Sequence, residues 1–267
     1  MIALLRRSIA QARYVMIPSF ILLWVFQIVL VAQAVQIQAS RGFGRMLELL
    51  PAFMKQGLGA KAMVFASFKG TVVLGYYHPV PAFVVTLLGV YAATEPAHEI
   101  EAGLVDLILA RAVRRRTLLT RSAVLGLLLI VAATLVMALG TWMGLRLFAS
   151  PAYDAPSPAL VVRLLSHLAG VAACFGGFAL FLAASSHRWS IAFASTALAG
   201  LALYLLDFLT LGWPLLNAVS WLSPFYYDRA WDIVAGDAPR WRNLIILFGA
   251  AAAFTAAAYW RFERRDV

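Results

Sequence analysis

Long uncharged stretches recur along the whole chain and determine its predicted fold class. A helix rises about 1.5 Å per residue, so roughly 20 apolar residues cross the hydrocarbon layer of a bilayer. One stretch, residues 70–94, contains Pro79 and Pro81, and we expect its helix to begin only after His78. The pattern predicts an all-α polytopic membrane protein, a single transmembrane domain over 1–267 with about six spans, at 15–35, 79–96, 120–146, 160–186, 189–211 and 242–260.

Composition supports the bilayer as the solvent of these helices. The 267 residues are 63% hydrophobic and 13% charged, and the mean hydropathy is +0.84, which is outside the usual range of water-soluble domains. The N-terminal arginines and apolar run resemble a signal peptide. However, that run is longer than the apolar core of a typical signal peptide and has no small-residue cleavage site before Gln36, so we expect a retained helix.

Basic residues lie in short clusters between the apolar runs and give a net charge of +10. This distribution is typical of membrane topology rather than of nucleic-acid binding, because cytoplasmic flanks of membrane helices collect Lys and Arg. It predicts cytoplasmic N- and C-termini in a multi-pass protein of the inner (plasma) membrane, in contact with its lipids and with no nucleic-acid partner. The single Cys174 and the scattered histidines indicate no disulfide or metal site.

Two long connections are predicted on the outer side, at 36–78 and 212–241. Spaced apolar and basic residues in the first favour amphipathic helices in the membrane interface, with a plain solvated loop as the alternative. The second combines helix breakers with aromatic residues. It predicts either partly inserted, broken helices or an ordinary surface loop with interfacial anchors. Its candidate residues are Trp221, Ser223, Pro224, Phe225, Tyr226 and Tyr227.

A third connection, between the second and third spans, is acidic at its start and basic at its end. This charge order complements the macrodipole of a helix. Leu104, Leu107, Ile108 and Arg111 fall on one helical face. The pattern predicts a short amphipathic cytoplasmic helix at about 98–116. Its periodicity is equally compatible with a helix that rests on the bilayer and with one that binds a partner protein.

This segment, Glu99-Ile-Glu-Ala-Gly-Leu-Val-Asp-Leu-Ile-Leu-Ala-Arg-Ala-Val-Arg-Arg, resembles the coupling helix of permease subunits in type-2 ATP-binding-cassette (ABC) exporters. Trp221-Leu-Ser-Pro-Phe before the last span and Phe262-Glu-Arg-Arg-Asp at the C-terminus resemble the same family in order and place. Ala112 stands where that family usually has proline, and Leu104 where threonine is common. The residues that match the family's ATPase-coupling positions are Glu99, Glu101, Gly103, Asp106, Leu107, Leu109, Arg111, Val113 and Arg115.

The resemblance implies two ATPase subunits and a second permease copy or a homologous permease as partners, with substrate passing between the membrane halves. The chain has no GxxxxGK[ST] phosphate loop. We therefore expect no cofactor in this chain and no enzymatic activity of its own, with ATP and magnesium held by the partner ATPase. The alternatives are a non-transporting scaffold or sensor subunit, an ion-driven secondary transporter and, on weaker grounds, an intramembrane enzyme such as a lipid transferase or protease.

Polar and small residues within the spans suggest further interactions. Arg163, His167 and Asp207 are predicted at similar depth, and we expect an Arg163–Asp207 pair that either fastens two helices or lines a transport path. Small residues recur at four-residue spacing in two spans and predict close helix packing, mainly within one subunit. They are Gly170, Ala173, Cys174 and Gly177 in one span and Ala192, Thr196 and Gly200 in the next.

Overall fold

The computed structural model describes residues 2–40, 67–104, 114–210, 212–228, 230–234 and 241–264, and these are helical without any strand. The helices are α1 (Ile2–Ser40), α2 (Phe68–Val73), α3 (Pro79–Ala93), α4 (Glu95–Glu101), α5 (Arg115–Phe148), α6 (Pro158–Ser185), α7 (Trp189–Leu209), α8 (Ala230–Val234) and α9 (Trp241–Glu263). Four 3₁₀ helices add Leu74–Tyr76, Pro214–Ala218, Ser220–Leu222 and Pro224–Tyr227.

Six helical segments are long and apolar enough to cross a membrane, as predicted: α1, the α2–α3 pair, α5, α6, α7 and α9. The second span differs from the sequence prediction in where it starts. Its helical path begins at Phe68, so residues 68–76, assigned above to an outer loop, belong to a 26-residue candidate span. At about 1.5 Å per residue, the 15-residue α3 alone is too short to cross the hydrocarbon layer.

Local capping explains why this span starts in two steps. The Ser67 hydroxyl accepts a hydrogen bond from the Gly70 backbone N–H at 3.0 Å and begins α2. His78 begins α3 in the same way, its Nδ1 accepting from the Val80 N–H at 3.3 Å. Pro79 follows at the first helical position, where a missing N–H costs nothing. The prolines therefore mark a new helix start inside the span rather than its outer boundary.

The helices form a bundle with α6 at its centre. α6 packs against α9, α3, α5 and α7, while α1 packs mainly against α5 and α2. α1 also extends beyond its predicted span of 15–35 at both ends. α7 lies at the periphery, where few of its side chains are buried: Ala192, Thr196 and Gly200.

Small residues bring the central helices together, which confirms the close packing predicted within the chain. A Cβ atom added to Gly177 of α6 would lie 2.6 Å from the Ala251 carbonyl oxygen of α9, and one added to Gly170 would lie 3.1 Å from Leu247. At Gly140 of α5, the same atom would lie 2.7 Å from the Trp24 carbonyl oxygen of α1. These contacts bring the backbones close enough for van der Waals packing, the main attraction between helices in lipid.

Hydrogen bonds and ion pairs define the two ends of the bundle. At the end that carries both termini, here called the terminal end, α4 bonds to the starts of α1 and α5, and the start of α5 also pairs with the end of α9. At the opposite end, here called the loop end, Lys69 pairs with Asp154 at 3.1 Å, and the Phe68 and Tyr153 rings stack. The connection from α7 to α9 also lies at the loop end.

Candidate functional site

A buried ion pair fixes α4 to α5 at the terminal end. The Arg121 Nη1 and Nη2 atoms donate to the two Glu99 carboxylate oxygens at 2.8 and 2.9 Å. Arg121 is fully buried and Glu99 is 4% exposed. Paired hydrogen bonds of this kind combine charge with a fixed planar geometry, so they set both the position and the rotation of α4.

A second carboxylate joins this pair and extends the junction to α1. Glu95 lies 3.5 Å from Arg121 and accepts a hydrogen bond of 2.7 Å from the Ser8 hydroxyl. Burial raises the pKa of Glu95 above its usual range, and the Arg121 guanidinium opposes that shift. One arginine thus serves two carboxylates from successive turns of α4. We call Ser8, Glu95, Glu99 and Arg121 the charged junction.

The C-terminal end of α4 is fixed to the start of α7. The Glu101 carboxylate accepts a hydrogen bond of 2.9 Å from the Trp189 backbone N–H, one of the unpaired donors of the first turn of α7. The Trp189 indole N–H donates to the Thr94 hydroxyl at 3.1 Å, just before α4 begins. Both ends of α4 are therefore held by the same residue of α7, and the negative charge lies at the positive end of that helix.

The coupling segment proposed from the sequence is only partly described. Its helix begins at Glu95, before the predicted start at 98, and ends at Glu101, so the predicted helix over 98–116 is interrupted by a turn at Ala102 and Gly103. Gly103 has φ +65°, a left-handed conformation that glycine adopts without strain, and it terminates the helix. Asp106, Leu107, Leu109, Arg111 and Val113 lie outside the described residues, and so does the Arg115 side chain.

The described coupling candidates differ in accessibility. Glu99 faces inward, whereas Glu101 and Gly103 are exposed at the terminal end. Sequence reasoning treated Glu99 as a residue facing a partner, yet its carboxylate is fully occupied by Arg121. Arg121 was not among the predicted site residues. The available signal was that Arg121 starts an uninterrupted apolar run, where a buried arginine needs an acidic partner.

At the loop end, the predicted aromatic segment packs partly into the bundle. The Ser223 hydroxyl donates to the Leu203 carbonyl oxygen of α7 at 2.9 Å and also accepts from the Phe225 N–H. Phe225 is buried against rings of α3, α6 and α7. Pro224, Tyr226 and Tyr227 are half-buried, while Trp221 is exposed. Three 3₁₀ helices occupy this segment, in agreement with the predicted broken helices.

The predicted intramembrane pair is not formed in this structure. No ion pair joins Arg163 to Asp207 in the part of the chain that the structure describes. Arg163 is exposed, and its carbonyl oxygen lies 2.9 Å from Nδ1 of the buried His167. Asp207 instead lies near Asp228. Burial, and then the Asp207 charge, raise the pKa of Asp228 to about 7.

Sequence reasoning missed a buried polar cluster between α1 and α5. The Tyr76 and Thr141 hydroxyls are 2.6 Å apart, and the Thr141 hydroxyl lies 3.3 Å from the Gln27 Oε1 atom. Gln27 is fully buried where Gly75 leaves room for its side chain. A single glutamine in an apolar run gave little signal, because its partners are distant in the sequence. No metal-ligand cluster occurs among the described residues.

Comparison with known proteins adds no family to this description. No family model matches the chain, and neither the curated proteins nor the solved structures contain a significant match. The fold therefore defines the class, a multi-pass helical membrane protein with six helices able to span the bilayer.

Proposed function

We propose that this chain is the membrane-spanning permease subunit of a type-2 ABC exporter. It lies in the inner (plasma) membrane, with both termini in the cytoplasm. In this proposal, the terminal end faces the cytoplasm and binds a separate ATPase. Two permease subunits and two ATPase subunits form the transporter. The observation that carries the proposal is the attachment of α4 to three membrane helices, added to the resemblance of residues 99–115 to a coupling helix.

The contacts of α4 suit transmission of a mechanical signal. A force on the exposed surface around Glu101 and Gly103 would reach α5 through the Glu99–Arg121 pair, α1 through Ser8, and α7 through Trp189. Buried ion pairs with fixed geometry move helices as rigid bodies more readily than flexible surface contacts do. ATP-driven closure of the ATPases would then change the relative positions of these helices.

The charged residues divide into two roles under this proposal. Glu95, Glu99 and Arg121 hold α4 to the bundle, and the buried charges of Glu99 and Arg121 are unavailable to a partner. The surface that contacts the ATPase includes the exposed end of α4 and the chain that follows Gly103. An ABC permease must respond differently to the two ATPase states, and this surface is where the differential contacts would form.

The proposal is tested by site-specific photocrosslinking in the native membrane. A photoreactive residue at the exposed Ala102 is expected to crosslink to a protein with a Walker motif, in an ATP-dependent manner. The matched control is the same residue at Leu215, which is 90% exposed at the loop end. Crosslinking at Leu215 but not at Ala102 would contradict both the predicted orientation and the coupling role.

A second measurement separates the exporter from a scaffold subunit. The purified complex is reconstituted in nanodiscs, and its ATPase rate is measured for the wild type and for Glu101→Ala, which removes the oxygen that accepts from Trp189. In the exporter, we expect the variant to retain the ATPase but to change its rate, because the link from α4 to Trp189 is lost. An unchanged rate in a stable complex would favour the scaffold or sensor function, and absence of any ATPase would refute the proposal.

A further inference from the structure

A lateral groove lies between α5 and α9, with its floor on α3 and α6. Its volume is about 480 Å³, and its walls include Gly126 and Ile130 of α5 and Ala252 and Ala256 of α9. Gly89 and Gly176 form part of the floor, where the absence of Cβ atoms keeps the space open. We call this space the α5/α9 groove. Ala252 and Ala256 are exposed, so the groove opens sideways toward the bilayer.

Bonds between the two walls close the groove at the terminal end. The Thr120 and Tyr259 hydroxyls are 2.7 Å apart, and Arg116 forms a two-bond ion pair with Glu263 just beyond them. These are the side-chain hydrogen bonds between α5 and α9 among the described residues. Farther along both helices, Gly126 and Ile130 of α5 and Ala252 of α9 line the groove. The groove is therefore a built recess with one closed, charged end and one open side.

The polar groups in the groove already have partners. The Thr255 hydroxyl donates to the Ala251 carbonyl oxygen at 2.8 Å, and the Tyr259 hydroxyl is paired with Thr120. The Ser122 hydroxyl accepts from Arg121 at 3.4 Å. The remaining surface is aliphatic or aromatic, so an occupant needs no hydrogen-bonding groups. A hydrocarbon chain meets this condition, and the volume is within the range of about 300–1,000 Å³ typical of small-molecule sites.

Charge at the closed end identifies the headgroup. Four exposed arginines lie at the terminal end: Arg114 and Arg116 at the start of α5, and Arg261 and Arg264 at the end of α9. Among the described residues of these two helices, Glu263 is the one acid, and it pairs with Arg116. Arginine pairs with phosphate oxygens through two parallel hydrogen bonds, and clusters of basic residues next to membrane helices attract anionic lipid. The Arg264 guanidinium also lies 4.3 Å from the centre of the Trp260 ring, at the position of an interfacial aromatic residue.

We propose that the α5/α9 groove is a binding site for an anionic phospholipid, with one acyl chain in the groove and the phosphate at the arginines of the terminal end. The site adjoins the charged junction at Ser122 but does not depend on an ATPase partner. It requires only that the six helices lie in a membrane.

The test uses phosphatidylglycerol with a photoreactive diazirine in one acyl chain, in nanodiscs of phosphatidylcholine. Crosslinked peptides are mapped by mass spectrometry. We expect labelling of residues 122–130 and 248–259 in excess of that on the exposed face of α7. Ala252→Trp fills the groove and should lower this labelling several-fold. The matched control is Ala253→Trp, because Ala253 is exposed on the same helix but does not line the groove.

The headgroup is tested with a second pair of variants. Arg261→Gln combined with Arg264→Gln should remove the preference for the phosphatidylglycerol probe over the same diazirine probe with a phosphatidylcholine headgroup. The matched control, Arg6→Gln combined with Arg13→Gln, removes equal charge from α1 at the same end. It should leave the preference for the phosphatidylglycerol probe unchanged. If Ala252→Trp does not fold, Ala252→Leu is the milder substitution to use.

Three results would overturn the proposal. The first is equal labelling of Ala252→Trp and Ala253→Trp. The second is labelling spread evenly over all exposed helix faces, which indicates only surrounding lipid. The third is protein–protein crosslinks from Ala256 to a second copy, which would show that another chain occupies the groove.

Discussion

Replacement of Arg121 by methionine tests whether the charged junction stabilises the bundle. The substitution retains an apolar stem but leaves the Glu99 carboxylate, 4% exposed, without its two hydrogen bonds. Glu95 loses the same positive charge 3.5 Å away. Removal of one member of a buried ion pair costs about 3–5 kcal/mol, because the other charge stays buried and unpaired. That cost lowers the folding equilibrium constant roughly 100- to 4,000-fold.

The same substitution at Arg116 is a matched control. Arg116 lies five positions earlier on α5 and also pairs with a glutamate, Glu263, but its side chain is 69% exposed. Exposed pairs contribute only about 0–1 kcal/mol because water and salt screen them. Unfolding of both variants in mixed micelles of dodecylmaltoside and sodium dodecyl sulfate, followed by circular dichroism, measures the difference. Similar unfolding midpoints for the two variants would refute the argument from burial.

A double substitution distinguishes loss of the ion pair from loss of packing. Arg121→Met with Glu99→Gln removes the unpaired charge, so we expect recovery of a large part of the lost stability. If the double variant is as unstable as the two single effects added together, the cost comes from packing around Arg121. In that case the unpaired Glu99 carboxylate contributes little to the loss of stability.

The remaining predictions concern two glycines and one acidic residue. Gly177→Ala should destabilise the protein by about 1–3 kcal/mol, because the new Cβ would lie 2.6 Å from the Ala251 carbonyl oxygen; a normal unfolding midpoint would refute this. Gly249→Ala meets no atom within 4 Å and should be neutral or stabilising by up to about 1 kcal/mol in the same assay. The folded-state pKa of Asp228 is raised to about 7 from 3.8, so its stabilising effect is complete below about pH 4 and is lost as pH rises through 7. The thermal midpoint of Asp228→Asn should therefore fall less between pH 5 and pH 8 than that of the wild type, and equal slopes would contradict the pKa shift.

The sequence was sufficient to predict the helical class and the six apolar segments, because hydrophobic runs report directly on burial in lipid. It misplaced the start of the second span, since Pro79 and Pro81 can begin a helix as well as interrupt one. The distinction depended on Ser67, whose hydroxyl begins α2 ahead of the prolines. A single capping serine contributes only about 1 kcal/mol, so a helix start at that position is hard to recognise from one sequence.

The candidate site was harder to predict because its contacts are distant along the chain. Glu99 and Arg121 are 22 positions apart, and Ser8 and Glu95 are 87 apart. Charge order alone indicated a helix near residue 99, but it could not indicate which carboxylates would turn inward. The Arg163–Asp207 hypothesis failed for a related reason. Similar depth in the membrane does not make two side chains neighbours, and Arg163 lies on an exposed face of α6.

The arrangement of charges at the terminal end explains why a short segment can affect the whole bundle. α4 has only seven residues, too few to be stable alone in water. Its position is therefore determined by its bonds to α1, α5 and α7, which leave little freedom to move independently. A displacement of α4 either breaks the Glu99–Arg121 pair, which is costly, or moves those helices with it. The proposed coupling role requires such a constraint, and it is why Arg121→Met is the most informative substitution.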